Sequence, residues 1–254
     1  VAPGLYVNSA KAIDYMEGEC DDTGGLELRA GTSMAAPVVA GTAALLRQYF
    51  VEGWYPDGVR NPPRGFSPRV SLIKAVLING AQRLEGIEDA PGVVSETEPY
   101  DVHQGFGRVE LIRSVPLAGK NRFSAKVINR QSIGNRGHDQ YLVKIDKSAG
   151  CSEGEPLSAT LVWTDPIGSP FWQQCVLDDL DLYITYDNGL SQADNTNNVE
   201  RIRIEDPPDG QTYAIHVEGR DLIGGHEYSL AITGCFASIE ETQPPPICLD
   251  GEGD

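Results

Sequence analysis

Ser33 is the residue through which this chain could do chemistry. It stands in Gly31-Thr32-Ser33-Met34-Ala35-Ala36-Pro37, followed by Val38-Val39-Ala40-Gly41. A serine hydroxyl becomes a nucleophile when it is exposed at a turn, has a base within hydrogen-bond reach, and faces donors aimed at the developing oxyanion. A serine that opens a helix meets the first condition. Its own backbone N–H, one of those a helix leaves unpaired at its start, supplies one oxyanion donor. Gly31 lets the backbone come close to a substrate with no side chain in the way. A serine at this place is also an ordinary helix cap, and position alone does not separate the two roles.

The base is harder to find. All four histidines, His103, His138, His216 and His226, follow Ser33. His138 sits in a Gly/Asn-rich turn, and His216 and His226 fall in or beside alternating strands, where histidine is normally solvated. His103 lies near the end of the first part of the chain. None of the four is expected to act as the base. Asp14, Asp21 and Asp22 precede Ser33 but lie in the short connection just before it.

A second cluster is acidic. Asp178, Asp179 and Asp181 enter a strand-like run, and closely spaced carboxylates of this kind bind hard cations such as calcium. They also read as turn residues and a solvent-facing strand position. Trp54, Trp163 and Trp172 read as core or interface anchors. Gly24-Gly25 and Gly224-Gly225 read as turns, since neither has the strand–helix context of a phosphate loop.

The elements that must position Ser33 follow from periodicity. Ser33 to Phe50 reads as a helix with apolar or small residues around most of its circumference, the pattern of a helix buried on nearly all sides. Pro37 is tolerable only near its first turn. A second helix is predicted over Pro68–Asn79, with Ser67 as N-cap, an apolar face of Val70, Ile73, Val76 and Leu77, and Gly80 as the stop. Beyond residue 118 the texture changes to period two. Runs near 123–127, 141–145, 160–163, 180–185, 200–204, 212–217 and 228–233 alternate between apolar and polar residues and are separated by Gly, Pro, Asn and Asp turns. The predicted organisation is α/β over 1–118, a β-sandwich over 119–236, and an acidic tail over 237–254 that contains Pro244-Pro245-Pro246.

The formal charge of −17 over 254 residues repels phosphate backbones and anionic lipid, so nucleic acid and membrane surfaces are not expected partners. No run approaches the ~20 apolar residues that span a bilayer. Five cysteines, Cys20, Cys151, Cys175, Cys235 and Cys248, match no zinc spacing, and an odd number leaves at least one without an internal disulfide partner. Val1-Ala2-Pro3-Gly4 has neither the basic nor the apolar region of a signal peptide and reads as the middle of a longer chain.

The string from Gly31 to Gly41 resembles the serine motif of the subtilisin-like serine peptidases. Val1-Ala2-Pro3-Gly4 is similar to the segment that precedes that motif, and Gln104-Gly105-Phe106-Gly107-Arg108-Val109 to the one that closes the catalytic domain. Leu161-Val162-Trp163-Thr164-Asp165, Leu177-Asp178-Asp179-Leu180-Asp181-Leu182 and Asn197-Asn198-Val199-Glu200 resemble the β jelly roll that follows this domain in the alkaline-protease branch. The resemblance implies the C-terminal part of a parallel-sheet catalytic domain followed by a jelly roll. Ser33 would be the nucleophile and half of the oxyanion hole, Thr32 would line the cleft, and the substrate would be a protein or peptide. No cofactor is required for the chemistry, and calcium on Asp178, Asp179 and Asp181 would be structural. An extracellular or secretory location is expected.

In this family the triad runs Asp, His, Ser along the chain. The Asp and His motifs and the Asn of the oxyanion hole are therefore expected upstream of Val1, in a catalytic half supplied by the same or a separate chain. Without base and orienter, this chain alone is expected to be nearly inactive. It is also expected to fold poorly or to expose an apolar face where most of the parallel sheet belongs. Three readings follow: part of an endopeptidase, a non-catalytic binding module built on the β-domain, or a truncated inactive product.

Overall fold

The computed structural model describes residues 1–10, 25–90, 93–95, 103–166, 176–187, 189–192, 197–222 and 224–242. Cys20, Trp172, Cys175 and Cys248 lie outside them. So do Asp14, Asp21 and Asp22, and the tail beyond Thr242.

The first part is helical. A short antiparallel pair, β1 (Val7–Ala10) and β2 (Leu26–Arg29), leads into helix α1 (Thr32–Val51). Helix α2 (Val70–Asn79) follows, then a second short pair, β3 (Ile87–Ala90) and β4 (Val93–Ser95), and the single turn α3 (Leu111–Ser114). Every strand pairing among the described residues is antiparallel, so the parallel sheet implied by the family resemblance is not among them.

Helix α2 begins later than its sequence predicts, with Arg69 rather than Ser67 at the N-cap and no side-chain capping bond. The reason is a clamp from the β-domain. Asn129 Oδ1 accepts from Arg69 N at 2.7 Å, and Asn129 Nδ2 donates to Ser67 O at 3.1 Å. That holds residues 67–69 extended until the helix starts.

Two antiparallel sheets form the second part. In chain order its strands are β5 (Ser124–Ile133), β6 (His138–Ile145), β7 (Leu157–Trp163), β8 (Asp179–Tyr186), β9 (Gly189–Gln192), β10 (Val199–Ile204), β11 (Thr212–Asp221), β12 (His226–Gly234) and β13 (Phe236–Thr242). One sheet runs β10-β7-β12-β5 and the other β13-β6-β11-β8-β9. Strand β13 pairs with β6, so ordered structure continues into the segment that the sequence assigns to a tail.

Between the sheets lies a core of alternating inward residues: Leu157, Leu161 and Trp163 on β7, Leu180, Leu182 and Ile184 on β8, Ile215 and Val217 on β11, Leu230 and Ile232 on β12. Tyr141 and Tyr228 bring their hydroxyls to 2.7 Å inside it, and burial raises both phenol pKa values. Cys151 and Cys235 form a disulfide that fastens the segment before β7 to the end of β12.

The outer face of the first sheet is also covered, which is why every residue of β7 is buried. Leu46, Tyr49 and Phe50 of α1 and Leu72, Ala75 and Val76 of α2 form a second core with Val162, Val199 and Ala231 from the sheet. Its polar hub is Asn79, the last residue of α2. Asn79 Nδ2 donates to Thr233 Oγ1 at 2.8 Å, and Asn79 Oδ1 accepts from Ser158 Oγ and Thr160 Oγ1, both at 2.9 Å. Arg201, only 7% exposed, donates to Ile78 O at 2.8 Å and Phe106 O at 3.2 Å. The helices and the sandwich are joined by a buried, hydrogen-bonded interface.

Helix α1 departs from its expected burial. Its last turns are buried through Leu46, Tyr49 and Phe50, but Val38, Ala40, Ala44 and Leu45 are exposed. Nothing among the described residues packs over that side. By length and composition alone the helix is also apolar enough to cross a membrane, which counting apolar side chains in sequence did not reveal, because small Ala and Gly residues carry much of its character.

Candidate active site

Ser33 occupies the first turn of α1 and is exposed. Its seat is set by Gly31, the N-cap, whose φ of 146° lies in the region that favours glycine. Gly31 N donates to Gly4 O at 2.7 Å, and Met34 N returns to Gly31 O at 3.0 Å to start the helix. Gly4 has to be a glycine for a second reason: a Cβ there would lie 2.7 Å from Gly31 O. The segment Val1–Gly4 therefore lies directly against the turn that presents Ser33.

The closing motif reaches the same place. Val109 N donates to Val1 O at 3.0 Å, and Val1 N donates to Gly107 O at 2.7 Å. Gln82 and Arg108 exchange backbone hydrogen bonds of 2.8 and 2.7 Å. The buried Gln104 accepts from Leu84 N at 2.9 Å. Three segments far apart in sequence, 1–4, 31–37 and 104–109, are thus stitched into one surface with Ser33 on it. Thr32 is exposed beside Ser33.

The backbone N–H groups of Thr32 and Ser33 belong to the first helical turn, where no intrahelical acceptor exists, and the helix dipole adds partial positive charge there. This end of α1 can therefore stabilise a developing oxyanion. No base reaches it among the described residues. Among the described residues the side chain of Ser33 makes no hydrogen bond, and none of the four histidines is joined to it.

His138, His216 and His226 have other partners, which the sequence did not reveal. His216 is not a surface residue. It is 6% exposed, with Nδ1 at 2.8 Å from His138 Nε2, Nε2 at 2.8 Å from Thr185 Oγ1, and its ring stacked on Tyr183 at 4.5 Å. Burial, aided by His138, lowers its pKa to about 4. His226 is held through Nδ1 at 2.7 Å from Asp178 Oδ2. The signal for the His138–His216 pairing was present in the strand register: His216 faces Gln140 and Glu218 faces His138, which puts both imidazoles on one sheet face two residues apart.

The acidic cluster separates in the same way. Asp178 and Asp181 are each 2% exposed, so neither is a solvated turn or strand residue. Asp178 binds His226, Asp181 forms an ion pair with Arg220 Nε, and Asp179 opens β8. Burial raises the pKa of Asp181 and of Asp179, with Arg220 pulling both down. Among the described residues no three His, Cys, Asp or Glu side chains converge on a point that could hold a metal ion. Asp178 and Asp181 each have a protein partner, His226 and Arg220 respectively. The neighbouring motif explains their order: Asp165 Oδ2 and Oδ1 accept from Leu177 N and Asp178 N at 3.0 and 2.9 Å, and Trp163 Nε1 donates to Asp178 O at 2.9 Å.

Comparison with known proteins bears on the helical part first. The profile of the Subtilase family (Peptidase_S8) matches residues 1–107. Among curated proteins, the chain is similar to three from Dictyostelium discoideum that are named serine protease/ABC transporter B family proteins. It is 30% identical to tagA over 250 residues and 88% of this chain, 27% identical to tagB over 308 residues and 99% of this chain, and 30% identical to tagD over 221 residues and 73% of this chain. The chain spans only 13%, 16% and 12% of the length of those relatives. Among solved structures, the Yersinia pseudotuberculosis-derived mitogen aligns at a TM-score of 0.33 and 15% identity, over 50% of this chain and 99% of that one, a likeness too low to define a common fold. Residues 1–107 thus carry a Subtilase family region, and the chain is distantly homologous to serine protease/ABC transporter proteins.

Proposed function

We propose that this chain is the serine-bearing C-terminal part of a subtilisin-like endopeptidase together with its β-sandwich, and that it acts within a longer protein. The observation that carries the reading is the seat of Ser33: exposed, in the first turn of α1, with Gly31 and Gly4 locking the turn. The Subtilase match over 1–107 and relatives several times longer than this chain support it.

In this reading Ser33 Oγ attacks the carbonyl carbon of a peptide bond while a histidine outside this sequence takes its proton. The carbonyl oxygen becomes an oxyanion that accepts from Ser33 N–H and from an asparagine, also outside this sequence. Collapse of the tetrahedral species expels the amine, which leaves with the proton, and water then releases the acyl group from Ser33. Thr32 lines the cleft beside the reacting carbonyl. The exposed side of α1, with Val38, Ala40, Ala44 and Leu45, is where the segment carrying the base packs. That assigns the apolar character of α1 to close helix–sheet packing rather than to a bilayer. The disulfide Cys151–Cys235 supports an oxidising, extracellular or secretory setting.

A non-catalytic binding role built on the β-domain is the second reading. Turnover separates the two. In the longer protein, Ser33→Ala should lower peptide hydrolysis by about 10⁴-fold or more while leaving the melting temperature unchanged. Hydrolysis that persists in the variant would remove Ser33 from the chemistry.

A further inference from the structure

The seam between the helices and the sandwich encloses a cavity of about 500 Å³ that the peptidase reading does not use. It lies where α2 ends, where α3 passes, and where the edge strands β9 and β10 of the two sheets come together. Four guanidiniums line it: Arg83 after α2, Arg113 on α3, and Arg201 and Arg203 on β10. Gln82, Ser191 and Gln192 add further polar groups, and among the described residues Glu205 is the one carboxylate lining the wall.

That wall is unusual for this chain. The protein carries 37 acidic and 20 basic residues, yet among the described residues four arginines and one glutamate line this cavity. Three separate elements supply the arginines, so no local repeat accounts for the grouping. Arg201 is nine-tenths buried, held by Ile78 O and Phe106 O and set over the Phe106 ring at 5.9 Å, and it fixes the floor of the cavity. Nearer the mouth, Arg203 leans on Glu205 two residues away at 2.6 Å, and Arg113 on Glu110 three residues away at 3.2 Å. These are short-range pairs with partly exposed partners, which a ligand can replace at little cost. Glu155 stands close enough to feel Arg113 and Arg203. The guanidinium is a planar fork that matches carboxylate and phosphate oxygens two at a time, and a recessed site with low-dielectric walls concentrates its field even on an acidic protein.

We propose that this cavity is a binding site for a compact oxyanion with more than one negative group. Such an anion is presented either by a free polycarboxylate or phosphate or by the clustered side chains of an acidic peptide. The site is independent of Ser33 and would bind whether or not the peptidase is assembled.

Isothermal titration of the chain with citrate, with inorganic phosphate and with a capped Asp-Glu-Asp peptide tests this, each at low and high sodium chloride. Saturable binding at one site is expected for at least one probe, weaker at high salt. The double variant R83Q/R203Q should weaken it about tenfold or more, and R113Q should weaken it in the same direction. R136Q, at an exposed turn between β5 and β6, should leave it unchanged. Tighter binding of the peptide than of citrate assigns the ligand to a polypeptide, and the reverse assigns it to a free anion. Melting curves identify any variant that fails to fold, and R113Q then serves in place of the double variant. Absence of saturable binding for all three probes, or equal weakening by R136Q, would overturn the proposal.

Discussion

At the scale of single residues, the chain separates what serine chemistry normally combines. Ser33 has an exposed hydroxyl and a helix-start N–H, but His138, His216 and His226 are engaged elsewhere. His216 shows this most clearly, because its environment has a measurable consequence. On the outer face of its sheet it meets His138 from β6, Tyr183 and Thr185 from β8, and lies two residues from Glu218, with the Asp181–Arg220 pair one row further along. Its pKa is held at about 4, below the usual 6.5, so the unfolded chain takes up a proton that the folded chain refuses. Stability from this group is full above pH 6.5 and is lost as pH falls from there towards 4. The loss amounts to about 1–3 kcal/mol. His216→Gln keeps side-chain hydrogen bonding without the proton, so its melting temperature should fall less steeply between those pH values than that of the parent. An equal slope in both proteins would show that His216 does not govern the acid response.

Ser33 and its flanking glycines were legible because the motif is contiguous and each residue type answers a backbone need. The fates of His216, Asp178 and Asp181 were not. A strand residue facing away from the sandwich core looks solvated until its neighbours across the sheet are known, and burial here comes from Tyr183, His138 and Arg220, which register alone brings together.

At the scale of elements, the helices and the sandwich strands followed from their periods, and the misjudged boundaries trace to tertiary contacts. Ser67 has the chemistry of an N-cap, yet Asn129 from β5 claims the backbone there and delays α2. Small residues around α1 predicted a helix buried on nearly all sides, and only its C-terminal end meets that expectation. What the pattern could not reveal is that α2 packs on the sandwich as well as on α1, with Asn79 as the joint. Asn79→Ala would leave the hydroxyls of Ser158, Thr160 and Thr233 buried without their shared partner, at a cost of about 2–4 kcal/mol. Chemical denaturation reads this directly, and a change below about 0.5 kcal/mol would mean the hub is ornamental to the interface.

At the scale of the whole molecule, two surfaces behave oppositely. The interface between helices and sandwich is closed, buried and hydrogen-bonded, so the β-domain is part of the scaffold that holds α1. The opposite side of α1 is open and apolar, and Leu5, Tyr6, Leu26 and Leu28 extend that apolar character at the Ser33 end. Among the described residues, Ser33 therefore sits between a buried interface and an exposed apolar side of α1. In the peptidase reading proposed above, catalysis by this serine needs a segment that covers the exposed side of α1 and brings the base. The most direct test is mass spectrometry of a fluorophosphonate adduct, comparing this chain alone with the longer protein. The account predicts a single adduct on Ser33 in the longer protein and almost none in the chain alone, because only the assembled site deprotonates the hydroxyl. A longer protein that stays unlabelled at Ser33, or an isolated chain that labels as fast, would contradict it.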